Sequence, residues 1–402
     1  MLDGIRVLDL SGEAGLLAGK ILGDLGADVI KVERPGGDPT RRGPFLGDIE
    51  DPERSLPWLA LNTSKRGVTL DLEVTEGREL FHRLAATADV VLETDKPGAL
   101  DAVGIGFASL GEANPRLIWC ALTPFGQQGP YAGYEGSDLS VVALGGNAFA
   151  TGWPDRPPVR CTMPAGYYHG APEAALGIAM ALYAREETGA GQFVDVSLQE
   201  AQLQTLLSGP GQHAAQEGGL RMYRRPGDLS GDLRELWPAL DGYVSYGLRG
   251  GPARIPNLVA TVKWMEECGM APDWLRDYDW STFNHNLIED WEPFFSAFGA
   301  FFASKTMGEL YDEAVRRRIF LAPCNDAREV SRHPQLRSRD FFVTLDYPEL
   351  GAQIEHPAFF AKTAGVAIRC RAPRIGEHND ALYGELGISA AERGELKSRG
   401  VI

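Results

Sequence analysis

The chain reads as an α/β protein with a doubly wound, Rossmann-like large domain, and three observations predict this. The first 35 residues alternate strand, helix and strand, and the alternation recurs before residue 200. Between about 208 and 240 the texture changes to frequent Gly and Pro, with a basic run from Arg221 to Arg225 that suits an interdomain connection. Aromatic, helix-like sequence then runs from Asp241 to about 330, as a smaller domain would.

Each element has a local reason. Ile5 to Leu10 is β-rich, and Ser11-Gly12 turns the chain. From Glu13 to Leu25 a helix is predicted, with Leu17, Ile21 and Leu25 on its apolar face and Gly26 placed to cap it. Asp28 to Glu33 is a second strand, and two strands joined by a helix imply a right-handed parallel unit. Glu76 to Ala88 suits a helix, while Val90 to Glu93 and Leu117 to Leu122 suit strands. Pro172 is placed to start a helix running to about Arg185, since proline is tolerated in a first turn, and Phe193 to Ser197 follows as a strand. Phe294, Phe295, Phe298, Phe301 and Phe302 recur at a spacing that predicts a buried helix face.

Composition removes several functional classes. Hydrophobic residues make up 44% and charged residues 23%, the balance of a soluble globular chain. No apolar run approaches the roughly 20 residues that span a bilayer, and the N-terminus shows neither a basic leader nor a signal-type segment, so a cytoplasmic protein without membrane association is expected. The net charge of −16 and the lack of a dense Lys/Arg block argue against nucleic acid. Five scattered cysteines without a CxxC pair predict neither a disulfide framework nor a structural zinc site.

The first strand-helix-strand unit invites a dinucleotide reading, because Glu33 ends the second strand where a ribose-binding acid would stand. The first turn offers Gly12, Gly15 and Gly19 rather than GxGxxG, so the backbone approach to a pyrophosphate is missing.

A more specific set of residues extends along the chain. It comprises Gly4 to Leu10, Leu25 to Glu33, Pro35 to Pro39, Asn62 to Arg66, Val68 to Leu72, Lys96-Pro97-Gly98, Asn114 to Leu117 and Phe125 to Tyr131. It continues through Thr188 to Gln192, Asp195 to Leu198, His333-Pro334-Gln335, Ala372-Pro373 and Gly376-Glu377-His378. In type and order these segments resemble the class III CoA-transferases, the family of formyl-CoA transferase and carnitine CoA-transferase, with α-methylacyl-CoA racemase a relative. The resemblance implies a large Rossmann-like domain built from both chain ends, here 1–215 and 331–402, with a linker and small domain over 216–330. It further implies an interlocked dimer, coenzyme A or acyl-CoA as substrate, and no permanently bound cofactor or metal. Coenzyme A carries several phosphate charges, and Arg41, Lys65, Arg66 and Lys96 are the matched cations that would meet them. Glu13, Ala14 and Gly15, opening the first helix, match the family's backbone approach to the thiol arm.

At one position the pattern breaks. The family's nucleophilic aspartate, which takes the acyl group from the donor thioester, falls here on Tyr167. No Asp or Glu lies between Arg160 and Pro172. A phenol, protonated at neutral pH, does not replace a carboxylate in anhydride chemistry. Ser137, before Asp138, stands in place of the racemase histidine, and Ala102 in place of an arginine often found after the Pro-Gly turn. Three expectations stay open. The chain is the non-catalytic subunit of a heteromer whose homologous partner carries the aspartate, as in benzylsuccinate CoA-transferase, which Ser11 to Lys20 also resembles. That assembly, a heterodimer or heterotetramer in place of a homodimer, would move CoA from a donor such as succinyl-CoA to an organic, aromatic-type carboxylate. Alternatively, Tyr167, Tyr168 and His169 run acid/base chemistry of the hydratase, lyase or isomerase kind on an acyl-CoA. As a third reading, the chain holds acyl-CoA without turnover.

Overall fold

The computed structural model describes residues 1–151, 156–204, 229–230 and 233–402. Most of the proposed connection, with Arg221 to Arg225, lies outside the described residues. The described residues form two compact units: one within Met1–Asn147, Arg160–Gly218 and Pro334–Ile402, the other within Ala148–Val159 and Gly219–His333.

The first unit is organised by a six-stranded parallel sheet. Its elements run β1 (Arg6–Asp9), α1 (Leu16–Asp24), β2 (Asp28–Glu33), α2 (Leu56–Leu61), β3 (Lys65–Thr69), α3 (Thr75–Ala85) and β4 (Val90–Glu93). They continue through α4 (Ala99–Ala102), α5 (Phe107–Ala113), β5 (Ile118–Thr123), α6 (Asp138–Leu144), α8 (Ala165–Thr188), β6 (Phe193–Ser197) and α9 (Leu198–Gln204), while all but the first residue of α7 (Asn147–Ala150) falls in the second unit. The order β3-β2-β1-β4-β5-β6 reverses between β1 and β4, with Val7 facing Val29 on one side and Val90 on the other. This is the dinucleotide-type order, in which ligands meet the C-terminal ends of the strands at the reversal.

Both faces of the sheet are covered, which is why its strands read as nearly continuous apolar runs. Successive residues of a strand point to opposite faces. Leu8, Ile30, Val91, Trp119 and Ala121 accordingly join α3 and the Leu382 and Tyr383 side chains of the helix Asn379–Glu385 in one cluster. Val7, Val29, Val90, Leu92, Cys120 and Leu122 join α1 and α8 in another. The C-terminal segment thus completes the same core as the first strands.

Two elements differ from expectation. α1 starts at Leu16, because Gly15 N–H is spent on Gly12 O at 3.0 Å in a preceding turn. Its buried face carries Ala18 and Leu22, with Leu17 and Ile21 at the fringe of the cluster. α8 begins seven residues before Pro172, so that proline sits inside the helix and not in its first turn. The missing N–H at Pro172 leaves the Tyr168 carbonyl without its helical donor. The helix is anchored further back, where Asp138 Oδ1 accepts from Gly166 N–H at 2.7 Å and Pro164 O accepts from Tyr168 N–H.

The second unit has a three-stranded antiparallel sheet, Ala322–Pro323, Tyr243–Ser245 and Leu236–Pro238, so the end of the expected connection is a strand. The helix Glu292–Ala303 buries Phe294, Phe298, Phe301 and Phe302, with Phe295 partly buried beside them, as the spacing predicts. Trp237 and Phe302 meet edge to face at 5.5 Å, and the indole N–H of Trp237 donates to Tyr246 O at 2.7 Å.

Among the described residues no helix is long and apolar enough to cross a membrane, and no group of side chains could hold a metal ion.

Candidate functional site

The reversal of the sheet places the ends of β1 and β4 side by side, with Gly12 N–H donating to Thr94 Oγ1 at 2.8 Å. Behind this edge lies a buried charged cluster. Lys65 Nζ donates to Asp9 Oδ2 at 2.8 Å, Leu16 O at 2.9 Å and Asn62 Oδ1 at 2.9 Å, which uses all three of its protons. Lys31 Nζ donates to Ser11 O at 2.5 Å and lies 3.9 Å from the other Asp9 oxygen. α1 approaches this cluster so closely that a Cβ on Gly19 would stand 2.3 Å from Asp9 Oδ2. Burial pushes the Lys65 ammonium below its usual range, although Asp9 works to keep it charged.

The matched cations therefore sit in different settings. Arg41 is buried, forks onto Glu33 through Nε and Nη2 at 2.8 Å each, reaches Glu53 at 3.0 Å and Pro373 O at 3.1 Å, and lies 3.7 Å over the Trp58 ring. Four of its five N–H donors are held by protein acceptors. Arg66 is partly exposed and bonds Asp28 and Glu385. Lys96 is exposed and pairs with Glu135 at 2.8 Å. Glu33, the acid of the dinucleotide reading, is taken by Arg41. The crevice of about 480 Å³ beside it is rimmed by Glu33, Asp71, Glu73 and Asp95 against the one cation Arg34, a lining whose acids outnumber its bases and which suits a pyrophosphate poorly.

The head of α8 gathers a second set. Tyr167 is the third residue of this helix, and its phenol oxygen accepts from Asp138 N–H at 3.1 Å. Asp138 thus acts twice, its backbone holding the Tyr167 oxygen and its carboxylate holding Gly166 N–H. The second carboxylate oxygen faces Arg160 at 3.4 Å. The Cβ missing from Gly166 would stand 2.7 Å from Val141 Cγ2 and 3.0 Å from Asp138 Oδ1, so this approach requires glycine. Glu13, ahead of α1, pairs with Arg42 at 2.6 Å. Burial first, and then the charges of Glu13 and Asp138, raise the Tyr167 and Tyr168 phenols above their ordinary range. Both are therefore neutral near pH 7. His169 is exposed, with Nδ1 3.1 Å from Gln202 Nε2; if the amide donates, the ring proton sits on Nε2.

Sequence separation conceals this arrangement. The segment 160–172 carries no carboxylate of its own, yet folding brings Asp138 against it. Asp138 stands inside a sequence of helical capping type, and Ser137 and Ser140 do form a capping box at the start of α6. The position that would be the racemase histidine is thus a helix cap. Ala102 ends α4. Arg42 and Arg160 were not singled out by sequence, because only the folded chain pairs them with Glu13 and Asp138.

The Asp138 contacts carry a stability prediction. Asp138→Ala should cost about 1–2 kcal/mol in denaturant unfolding, since Gly166 N–H loses its cap, while Asp138→Asn, which can still accept, should lose much less. Equal losses would show that the cap contributes nothing.

Comparison with known proteins agrees with this architecture. The model of CoA-transferase family III matches residues 2–379. The chain is 36% identical over 407 residues to the succinyl-CoA:(R)-benzylsuccinate CoA-transferase subunit BbsE of Thauera aromatica, covering 99% of this chain and 97% of the relative. It is 31% identical over 424 residues to the formyl-CoA:oxalate CoA-transferase of Streptomyces coelicolor, covering 100% of this chain and 99% of that one. Among solved structures, a CAIB/BAIF family protein from Brucella suis superposes with a TM-score of 0.80 at 29% identity, covering 96% of this chain and 99% of that chain. Sheet order, the return of the C-terminal segment and an end-to-end family match converge, and the chain belongs to CoA-transferase family III.

Proposed function

We propose that this chain is the non-catalytic subunit of a heteromeric class III CoA-transferase. A homologous partner supplies the nucleophilic aspartate, and the assembly moves CoA from an acyl-CoA such as succinyl-CoA to an organic, benzylsuccinate-like carboxylate. The observation that carries the reading is the neutral Tyr167 phenol, bound to Asp138 N–H, at the position the resemblance assigns to that aspartate. A phenol in this state is not the ionised oxygen nucleophile that reversible acyl transfer needs. Asp138 is no substitute, since one oxygen caps α8 and the other faces Arg160.

A partner chain is supported by the surface of the large unit. Leu176, Met180 and Tyr183 follow one another on α8 at spacings of four and three and are 55%, 63% and 75% exposed. Leu139 and Leu144 of α6 are exposed as well. An apolar helix stripe of this kind fits burial against a second chain, in keeping with an interlocked pair. The BbsE relative is itself named as a subunit.

The test is to purify the chain alone and together with an aspartate-bearing class III homologue from the same genome, and to assay transfer from succinyl-CoA to benzylsuccinate. Transfer and a co-eluting complex are expected only in the mixture, with transfer lost when the homologue's aspartate is changed to alanine. Turnover by this chain alone would overturn the reading and turn attention to Tyr167 and His169 as acid/base groups.

A further inference from the structure

We propose that Tyr167 Oη donates a hydrogen bond to the carbonyl oxygen of a bound acyl thioester, so that the head of α8 recognises acyl-CoA without attacking it. This rests on the proposed function, in which Tyr167 stands where the family's aspartate meets the acyl thioester.

A phenol hydroxyl has one proton and two acceptor positions. At Tyr167 one acceptor position is filled by Asp138 N–H at 3.1 Å. That bond directs the hydroxyl proton away from Asp138, and among the described residues no protein acceptor takes it. Rotation of the ring tip is restrained as well, because Asp138 is itself tied to the same helix through Gly166. The donor is therefore held in place before a ligand arrives, which lowers the ordering cost of binding.

The surroundings select the kind of acceptor. Tyr167 fringes the same apolar cluster as Ala14 and Phe125, a half-buried setting suited to an acyl group. The charged groups nearby are already matched, Glu13 with Arg42 and Asp138 with Arg160. A free carboxylate would add a third negative charge beside Glu13 and Asp138, whose charges Arg42 and Arg160 already offset one to one, so its desolvation is poorly compensated. A neutral thioester carbonyl needs only a neutral donor. The burial and the two carboxylates that raise the phenol also keep its proton in place over the working pH range.

The experiment measures binding of acetonyl-CoA, a keto thioether, and of S-propyl-CoA, which lacks the carbonyl, to the full-length chain by calorimetry. Wild type should bind acetonyl-CoA about fivefold more tightly, the worth of one neutral hydrogen bond. Tyr167→Phe should bring the ratio to about one without changing S-propyl-CoA affinity, and Tyr168→Phe should keep the ratio. Because S-propyl-CoA reports on folding and on the rest of the site, a misfolded variant is recognised directly. The proposal is overturned if Tyr167→Phe keeps the preference, if wild type shows none, or if neither analogue binds. Tighter binding of a free acid such as benzylsuccinate at this site would overturn it too. The subunit reading is tested separately by transfer in the mixture. Transfer without the analogue preference defeats only the donor, and the preference without transfer defeats only the subunit.

Discussion

Lys65→Met should destabilise the protein by about 3–5 kcal/mol, because it leaves a buried carboxylate without its partner. Asp9 is wholly buried at the end of β1, with Lys65 2.8 Å from one oxygen and Lys31 3.9 Å from the other. Burial alone would raise the Asp9 pKa, and the two lysines reverse that, holding it below the ordinary range. With Lys65 gone, Lys31 is the one remaining cation of the pair; it stands 3.9 Å from Asp9 Oδ1, which also accepts from Ser11 N–H and Oγ, while Oδ2 loses its ammonium donor. Removing both charges, as in Asp9→Leu with Lys65→Met, should cost less than the sum of the two single changes. Denaturant melts of the three variants measure this. The same variants bear on coenzyme A. A strut at Lys65 predicts that the folded fraction binds CoA with unchanged affinity. A phosphate contact predicts weakened CoA binding with stability little affected.

Glu93→Gln should stabilise the protein by about 3 kcal/mol at pH 8 and by nothing below about pH 4. Glu93 closes β4 with 6% of its surface exposed and accepts from Asp95 N–H at 2.5 Å. Burial, helped by the charges of Asp95 and Asp101, pushes its pKa up to about 7. Between about pH 4.5 and 7 the unfolded chain has released this proton and the folded chain still holds it, so wild-type stability falls as pH rises through that window. Glutamine cannot ionise and can still accept from Asp95 N–H, so the variant should lack this decline. Parallel pH profiles for the two proteins would show that Glu93 ionises in the fold as easily as in water.

Much of the sheet was legible because its signals are local. The strands Asp28–Glu33, Val90–Glu93 and Phe193–Ser197 lie where β-rich runs between turn residues place them. Their continuous apolar character follows from helices on both faces of a parallel sheet. The phenylalanines of Glu292–Ala303 were legible for a similar reason, since one helix face repeats every three to four residues. The start of α8 was not legible. Its anchor, the Gly166–Asp138 bond, joins residues 28 apart, and a proline seven residues in points to the wrong starting place.

Residue order and identity along the chain suffice for the α/β class, the family and the absence of a carboxylate from 160–172. They also mark Arg41 and Lys65 as cations in matched segments, but not where their donors point. Folding spends most of those donors on Glu33, Glu53, Asp9, Asn62 and nearby carbonyl oxygens, none of which is adjacent in the chain. It equally makes Tyr167 share its corner with Asp138 and Glu13. The physical reason is that hydrogen-bond satisfaction and desolvation depend on neighbours in space. Those neighbours come from β1, β2, the turn after α2, the turn before α1, α6 and α8, which meet only when the sheet and the helices on its faces have closed.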